Sequence, residues 1–145
     1  MSRIDPIHLW FVLGLIAPSM AHADTACPAA VTDAAKKAFP DATVTKCIAE
    51  KSHFEVKLTK KDSSKVELDI SAKGEIEIIE EVIAISAIPA PVTKAFAAKY
   101  GKAELLGAEK QTKADKSVSF EIAFKTAKGM KEATFKADGT FVEEE

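Results

Sequence analysis

Few residues in this chain could do chemistry. Beyond residue 23 there is one imidazole, His53, and one pair of thiols, Cys27 and Cys47. A nucleophile needs a base held beside it. Ser52, Ser63, Ser64, Ser71, Ser86, Ser117 and Ser119 are the hydroxyls available to His53, and none sits in a G-x-S-x-G elbow between strand and helix. His53 therefore reads as a residue that caps a strand or faces water, and no catalytic residue is expected. "EIEIIEE" (75 to 81) would put Glu75 and Glu77 on one strand face, about 7 Å apart by strand rise. Two hard oxygens could contribute to a weak Ca²⁺ site, but no Asp-rich loop completes one, so the expectation is a solvated face with no metal and no cofactor. Other carboxylates are plentiful and no pair is singled out for acid and base work. Tyr100 is the only large polar aromatic beyond residue 23, too little for a sugar platform, and no Gly-rich phosphate loop is present.

Composition narrows the partners. In the first 23 residues a short polar start with Arg3 precedes "LWFVLGLIA", Pro18 interrupts it, and "AHA" (21 to 23) offers small residues for a signal peptidase. This reads as a signal peptide, 1–23. Its apolar run is far too short to cross a hydrocarbon layer of ~30 Å, so no stable membrane anchor is expected after cleavage. No Leu stands before Cys27 where a lipid-attachment signal would want one. A periplasmic or secreted protein follows, and in such a chain an even cysteine count reads as a disulfide, Cys27 with Cys47. Closing a loop of about 20 residues stabilises a fold by ~3 kcal/mol in the chain-entropy view. Beyond residue 23, 19 lysines face 21 carboxylates and there is no arginine. Without guanidinium forks or a basic stripe, no nucleic-acid partner is expected.

The elements that must position any site come in two sets. "PAAVTDAAKKAFP" (28 to 40) is echoed by "PAPVTKAFAAKYG" (89 to 101), "FEVKL" (54 to 58) by "FEIAF" (120 to 124), and "AKGEI" (72 to 76) by "ADGTF" (137 to 141). Val31, Ala35, Ala38 and Phe39, and likewise Val92, Phe96 and Tyr100, recur at helical period. The period then switches to two: Phe54, Val56 and Leu58; Val66, Leu68 and Ile70; Val118, Phe120, Ile122 and Phe124. Shorter strands are expected near 43 to 49 and 103 to 109. A three-residue loop at Ala72, Lys73 and Gly74 sets Ile70 opposite Ile76 and Leu68 opposite Ile78; the same loop at Ala137, Asp138 and Gly139 sets Phe135 opposite Phe141. "VIAISAIPAPV" (82 to 92) is too apolar for a free linker. The expected fold class is α+β, two tandem repeats of one helix and four antiparallel strands (24–85 and 86–145) forming one curved sheet covered by two helices.

Tandem units with a Pro-initiated helix, a "FEV" strand and an "ADG" or "AKG" turn resemble the PepSY-like family of bacterial exported proteins, which is grouped with the beta-lactamase-inhibitor-like fold. The resemblance spans nearly all of 28 to 142. Lys73 stands where the family prefers Asp before Gly, and the Cys27 and Cys47 pair lies outside its pattern. The resemblance implies binding or inhibition outside the cytoplasm and carries over no catalytic residues.

The wet sheet face is what remains for function. Its outward residues would be Glu55, Lys57, Thr59, Glu67, Asp69, Glu75 and Glu77 in the first repeat, and Ser119, Glu121, Ala123, Lys125, Glu132, Thr134, Lys136, Thr140 and Val142 in the second. Glu55, Lys57, Glu67, Asp69, Glu75, Glu77, Glu121, Lys125 and Lys136 are the candidate partner-binding residues. Asp69 opposite Glu77 would repel across the strands, a tension that a partner or a cation relieves. The expected partner is an extracytoplasmic protein, with an inhibited or modulated hydrolase or peptidase implied by the resemblance. The alternative is a small-ligand or lipid carrier with a pocket between the repeats.

Overall fold

The structure, a computed structural model, describes residues 27–145; the expected signal peptide and residues 24–26 lie outside the described residues. Helix α1 (Ala29–Ala38) and helix α2 (Ala90–Tyr100) each begin just after a proline, Pro28 at φ −56° and Pro89 at φ −58°. Proline's locked φ suits the residue feeding a helix, and its missing N–H is not needed there. Past α1 comes Pro40, and α2 ends on Gly101, whose φ of 65° takes the chain out of the helix. Val31 and Ala35 of α1 and Val92 and Phe96 of α2 are the buried stripe. Ala38, expected in that stripe, is exposed, whereas Phe39 packs back on the core from just outside the helix.

The strands are β1 (Thr43–Ala49), β2 (Phe54–Thr59), β3 (Lys65–Ile70), β4 (Ile76–Ile83), β5 (Glu104–Lys113), β6 (Val118–Thr126), β7 (Gly129–Lys136) and β8 (Phe141–Glu144). Strand order in the sheet follows chain order from β1 to β8. Helix and four strands thus occur twice along the chain, as the change of period from 3.6 to 2 predicts. β5 runs four residues further than its poor alternation suggested. Between β4 and α2 the apolar segment makes one 3-10 turn (Ile85–Ala87) and anchors itself through Ile88, which is buried.

The described residues divide into two compact units. The N-terminal unit contains the described residues up to Val82 together with Lys110–Ser119; the C-terminal unit contains Ile83–Glu109 and Phe120–Glu145. In the N-terminal unit Val31 and Ala35 meet Val56, Leu58, Val66, Leu68 and Ile70, all fully buried. Each aliphatic side chain removed from water contributes about 1.5–3 kcal/mol. The Cys27–Cys47 disulfide, with Cα atoms 5.8 Å apart, ties the entry of α1 to edge strand β1. The C-terminal unit is built on rings instead. Phe96 meets Phe124 edge-on at 5.0 Å and Phe135 at 6.2 Å, and Tyr100 lies 4.5 Å from Phe124.

The expected three-residue loops both form. Ser71 N–H donates to Glu75 O and Gly74 N–H to Ser71 O; Lys136 N–H donates to Thr140 O and Gly139 N–H to Lys136 O. Ile70 pairs with Ile76 and Phe135 with Phe141. One residue later both ladders slip. Leu68 pairs with Ile79 rather than with Ile78, because Glu77 is inserted as a bulge and Asp69 pairs with Ile78; Val142 is the corresponding extra residue beside Phe135. A bulge flips every side chain beyond it to the other sheet face.

Two further hairpins use the same loop without glycine: Ser63 and Lys116 both have φ 69°. Asp62 and Asp115 accept the backbone N–H of Ser64 and Ser117 and so brace these turns. An L side chain in the left-handed region costs about 1–2 kcal/mol, partly offset by the extra freedom glycine gives the unfolded chain. Lys116→Gly is therefore expected to stabilise the protein by roughly 0.5–1 kcal/mol, read as a higher urea midpoint with unchanged slope.

Candidate functional site on the open sheet face

Cross-strand pairing places a polar row on the face of the N-terminal unit opposite α1. Lys46 of β1 pairs with Lys57 of β2, Lys57 with Glu67 of β3, and Glu67 with Glu80 of β4. The row continues through side chains: Gln111 Nε2 of β5 donates to Glu80 Oε1 at 3.1 Å, and Ser119 Oγ of β6 donates to Gln111 Oε1 at 3.0 Å. A second row lies beside it, in which Glu55 pairs with Asp69 and Asp69 with Ile78. The Lys57 ammonium bridges the rows, 2.8 Å from Glu55 and 3.0 Å from Glu67. His53 Nε2 lies 3.4 Å from Asp69 Oδ1, and its Nδ1 lies 3.3 Å from Ser52 Oγ, so the ring is held at the rim of the face rather than left in water.

This face is acidic and only partly hydrated. The Glu67 side chain keeps 14% of its exposure. Burial, then the charge of Glu55, push its carboxyl up to about 7 against the pull of Lys57. Burial also raises Asp69, with Glu55, Glu77 and Glu50 adding repulsion and His53 opposing them. For Lys57, burial acts to lower the ammonium, and the contacts with Glu55 and Glu67 outweigh it and hold the pKa above the ordinary lysine value. Perturbed groups of this kind mark places where charge is kept despite its cost.

The expected site residues divide accordingly. Glu55, Lys57, Glu67 and Asp69 converge. Glu75 does not sit on the strand beside Glu77: it closes the turn before β4, where its N–H donates to Ser71 Oγ. Glu77 is the exposed bulge residue; its carbonyl accepts Ala114 N–H and its charge still reaches Asp69. Glu121, Lys125 and Lys136 belong to the C-terminal unit, where Lys125 and Lys136 are exposed and Glu121 is half-buried. Of the outward residues expected to be wet in the second repeat, Ser119, Ala123 and Thr134 are buried. Such short side chains present little surface between neighbouring strands, whatever their polarity. Glu80 and Gln111 were missed. Glu80 falls on the open face only because of the bulge at Glu77; the doubled Ile78 and Ile79 in an otherwise alternating segment is the signal that reveals it.

Among the described residues no group of three or more His, Cys, Asp or Glu could hold a metal ion, and no helix is long and apolar enough to cross a membrane. A cleft of about 380 Å³ in the same unit is lined by Ala38, Phe39, Pro40 and Ala42 with Lys60 and Lys61. Its cations are already engaged, Lys61 with Asp41 and Lys60 with Glu81 and over the Phe39 ring.

No protein-family model and no curated protein sequence matches this chain. Solved structures do. A protein of Bacteroides eggerthii provisionally described as periplasmic superposes with a TM-score of 0.75 at 15% identity, over 83% of this chain and 89% of that one. A DUF2874 family protein of Bacteroides uniformis gives 0.73 at 16% identity, over 81% and 88%. A BLIP-like protein of Bacteroides fragilis gives 0.66 at 20% identity, over 92% and 89%. The chain has a BLIP-like fold. At these identities the likeness concerns the path of the backbone, and the beta-lactamase-inhibitor-like architecture expected from the sequence is what it supports.

Proposed function

We propose that this is an exported, non-enzymatic binding protein whose acidic sheet face in the N-terminal unit docks on a basic surface of an extracytoplasmic protein, inhibiting or modulating a hydrolase or peptidase. The observation that carries it is the Glu67 environment. Four carboxylates (Glu55, Glu67, Asp69 and Glu80) share a half-buried face, and the Lys57 ammonium is shared between two of them, Glu55 and Glu67. A sheet selected only for stability would hold neutral side chains there; a cationic partner compensates the field and is steered by it. Export is supported by the segment 1–23 and by the disulfide, which belongs in an oxidising compartment. The provisional periplasmic description of the Bacteroides eggerthii structure agrees with that reading.

PepSY-like membership and descent from a duplicated unit belong to the same proposal. One support is that a Cβ on Gly74 would meet Ala30 O in α1, and a Cβ on Gly139 would meet Pro91 O in α2. The residues 30 and 91, like 74 and 139, are those that the two sequence copies align. The bulges at Glu77 and Val142 are a second support.

The test is inhibition of secreted hydrolases and peptidases from the same cells by the purified mature protein, beside a Glu67→Gln, Asp69→Asn variant. Inhibition at micromolar concentration that weakens at least tenfold in the variant is expected. Inhibition of none, or equal inhibition by both proteins, overturns the reading.

A further inference from the structure

We propose that Glu67 is a proton-operated gate on this face, so that its grip on a basic partner weakens as the medium acidifies. The inference rests in part on the docking reading above and adds its regulation. Its basis is position. Glu67 is central in the polar row, with Lys57 opposite on one neighbouring strand and Glu80 opposite on the other. The ammonium that would neutralise it is divided, lying as close to Glu55 as to Glu67. Glu55, Lys57 and Asp69 act on it directly; the other polar groups along its row and the row beside it are Lys46 from β1, Glu80 from β4 and Gln111 from β5, with His53 beside Asp69 at the rim.

Gln111 makes the arrangement asymmetric. Its amide oxygen receives Ser119 Oγ–H, which leaves the NH₂ end turned to Glu80. Glu80 therefore has an amide donor on its carboxylate, while Glu67 shares the Lys57 ammonium with Glu55. Glu67 is the carboxyl of this row whose proton is held more tightly than usual. When it binds, the face loses one negative charge at a carboxyl that keeps 14% of its exposure, and repulsion on Glu55 and Asp69 falls. The direction agrees with the elevated Glu67 carboxyl, which titrates in a range that ordinary environments reach. One unit charge next to a docked cation in water-like surroundings alters affinity roughly fivefold.

Two measurements on the mature protein test this. The first is a carbon-detected NMR titration of the side-chain carboxyls, which needs no partner. A Glu67 midpoint near 7 is expected, moving down in Glu55→Gln; a midpoint near the ordinary 4.5 overturns the gate. The second is binding of a decalysine peptide at pH 6 and pH 8 at equal ionic strength. The wild type is expected to bind roughly fivefold more tightly at pH 8, and Glu67→Gln to bind weakly with no such difference. Peptide binding that ignores pH in the wild type refutes the gate and leaves docking intact. A Glu67 midpoint near 7 with no peptide bound at either pH refutes docking, and the gate with it.

Discussion

A Gly139→Ala protein is expected to lose about 2–5 kcal/mol of stability, because two independent penalties fall on one added methyl group. Gly139 has φ 89°, a conformation that costs an L residue about 1–2 kcal/mol. The new Cβ would also stand 2.6 Å from Pro91 O and 3.0 Å from Pro91 C, backbone atoms in the first turn of α2 that cannot rotate aside. Forcing them apart moves the helix off its strands, an overpacking effect of about 1–3 kcal/mol. Gly101→Ala separates the two contributions. Gly101 has φ 65° but nothing within 4 Å of the added atom, so only backbone strain of roughly 1–3 kcal/mol applies there. Urea denaturation of the three proteins is the measurement. A loss for Gly139→Ala below about 2 kcal/mol, no more than the backbone strain alone, would show that the turn does not press on α2.

The second large effect has the opposite sign. Glu67→Gln is expected to stabilise the protein at alkaline pH and to change little at pH 4. A carboxyl raised in the folded state binds its proton more tightly there than in the unfolded chain. Stability is then highest below the unfolded value of 4.5 and falls as pH rises through the window from 4.5 to about 7. The loss across that window is roughly 3 kcal/mol at 1.36 kcal/mol per pH unit. Asp69, also raised, adds in the same direction. A glutamine resembles the neutral acid and does not titrate, so the variant should overtake the wild type above neutrality. Stability measured every half pH unit from 4 to 9 checks this; parallel curves for both proteins would mean that Glu67 carries no such burden.

These expectations draw on features that differ in how openly the sequence shows them. Val56, Leu58, Val66, Leu68 and Ile70 announce the core of the N-terminal unit, since strict alternation admits one buried face. Gly74 and Gly139 fix their hairpin loops because the left-handed residue of the turn favours glycine. The Glu77 bulge is harder to see. It costs no apolar residue, and only the adjacent Ile78 and Ile79 betray that the face has switched. Glu80 was hidden for that reason, and Gln111 because β5 continues through "EKQTK", a polar stretch without alternation. The loops at Ser63 and Lys116 are concealed as well, since a serine and a lysine take the left-handed position where a glycine is expected. Ser119, Ala123 and Thr134 show a further limit: alternation predicts which face a side chain takes, not how much water reaches it.

The central claim is that the acidic face of the N-terminal unit is where a basic partner rests. Backbone-amide NMR mapping of the mature protein during titration with an inhibited hydrolase, or with decalysine, tests it most directly. Shifts concentrated on Glu55, Lys57, Glu67, Asp69, Glu80 and Gln111 are the predicted result. Shifts centred on the cleft at Phe39 and Lys61, or on the exposed lysines Lys125 and Lys136, would contradict it.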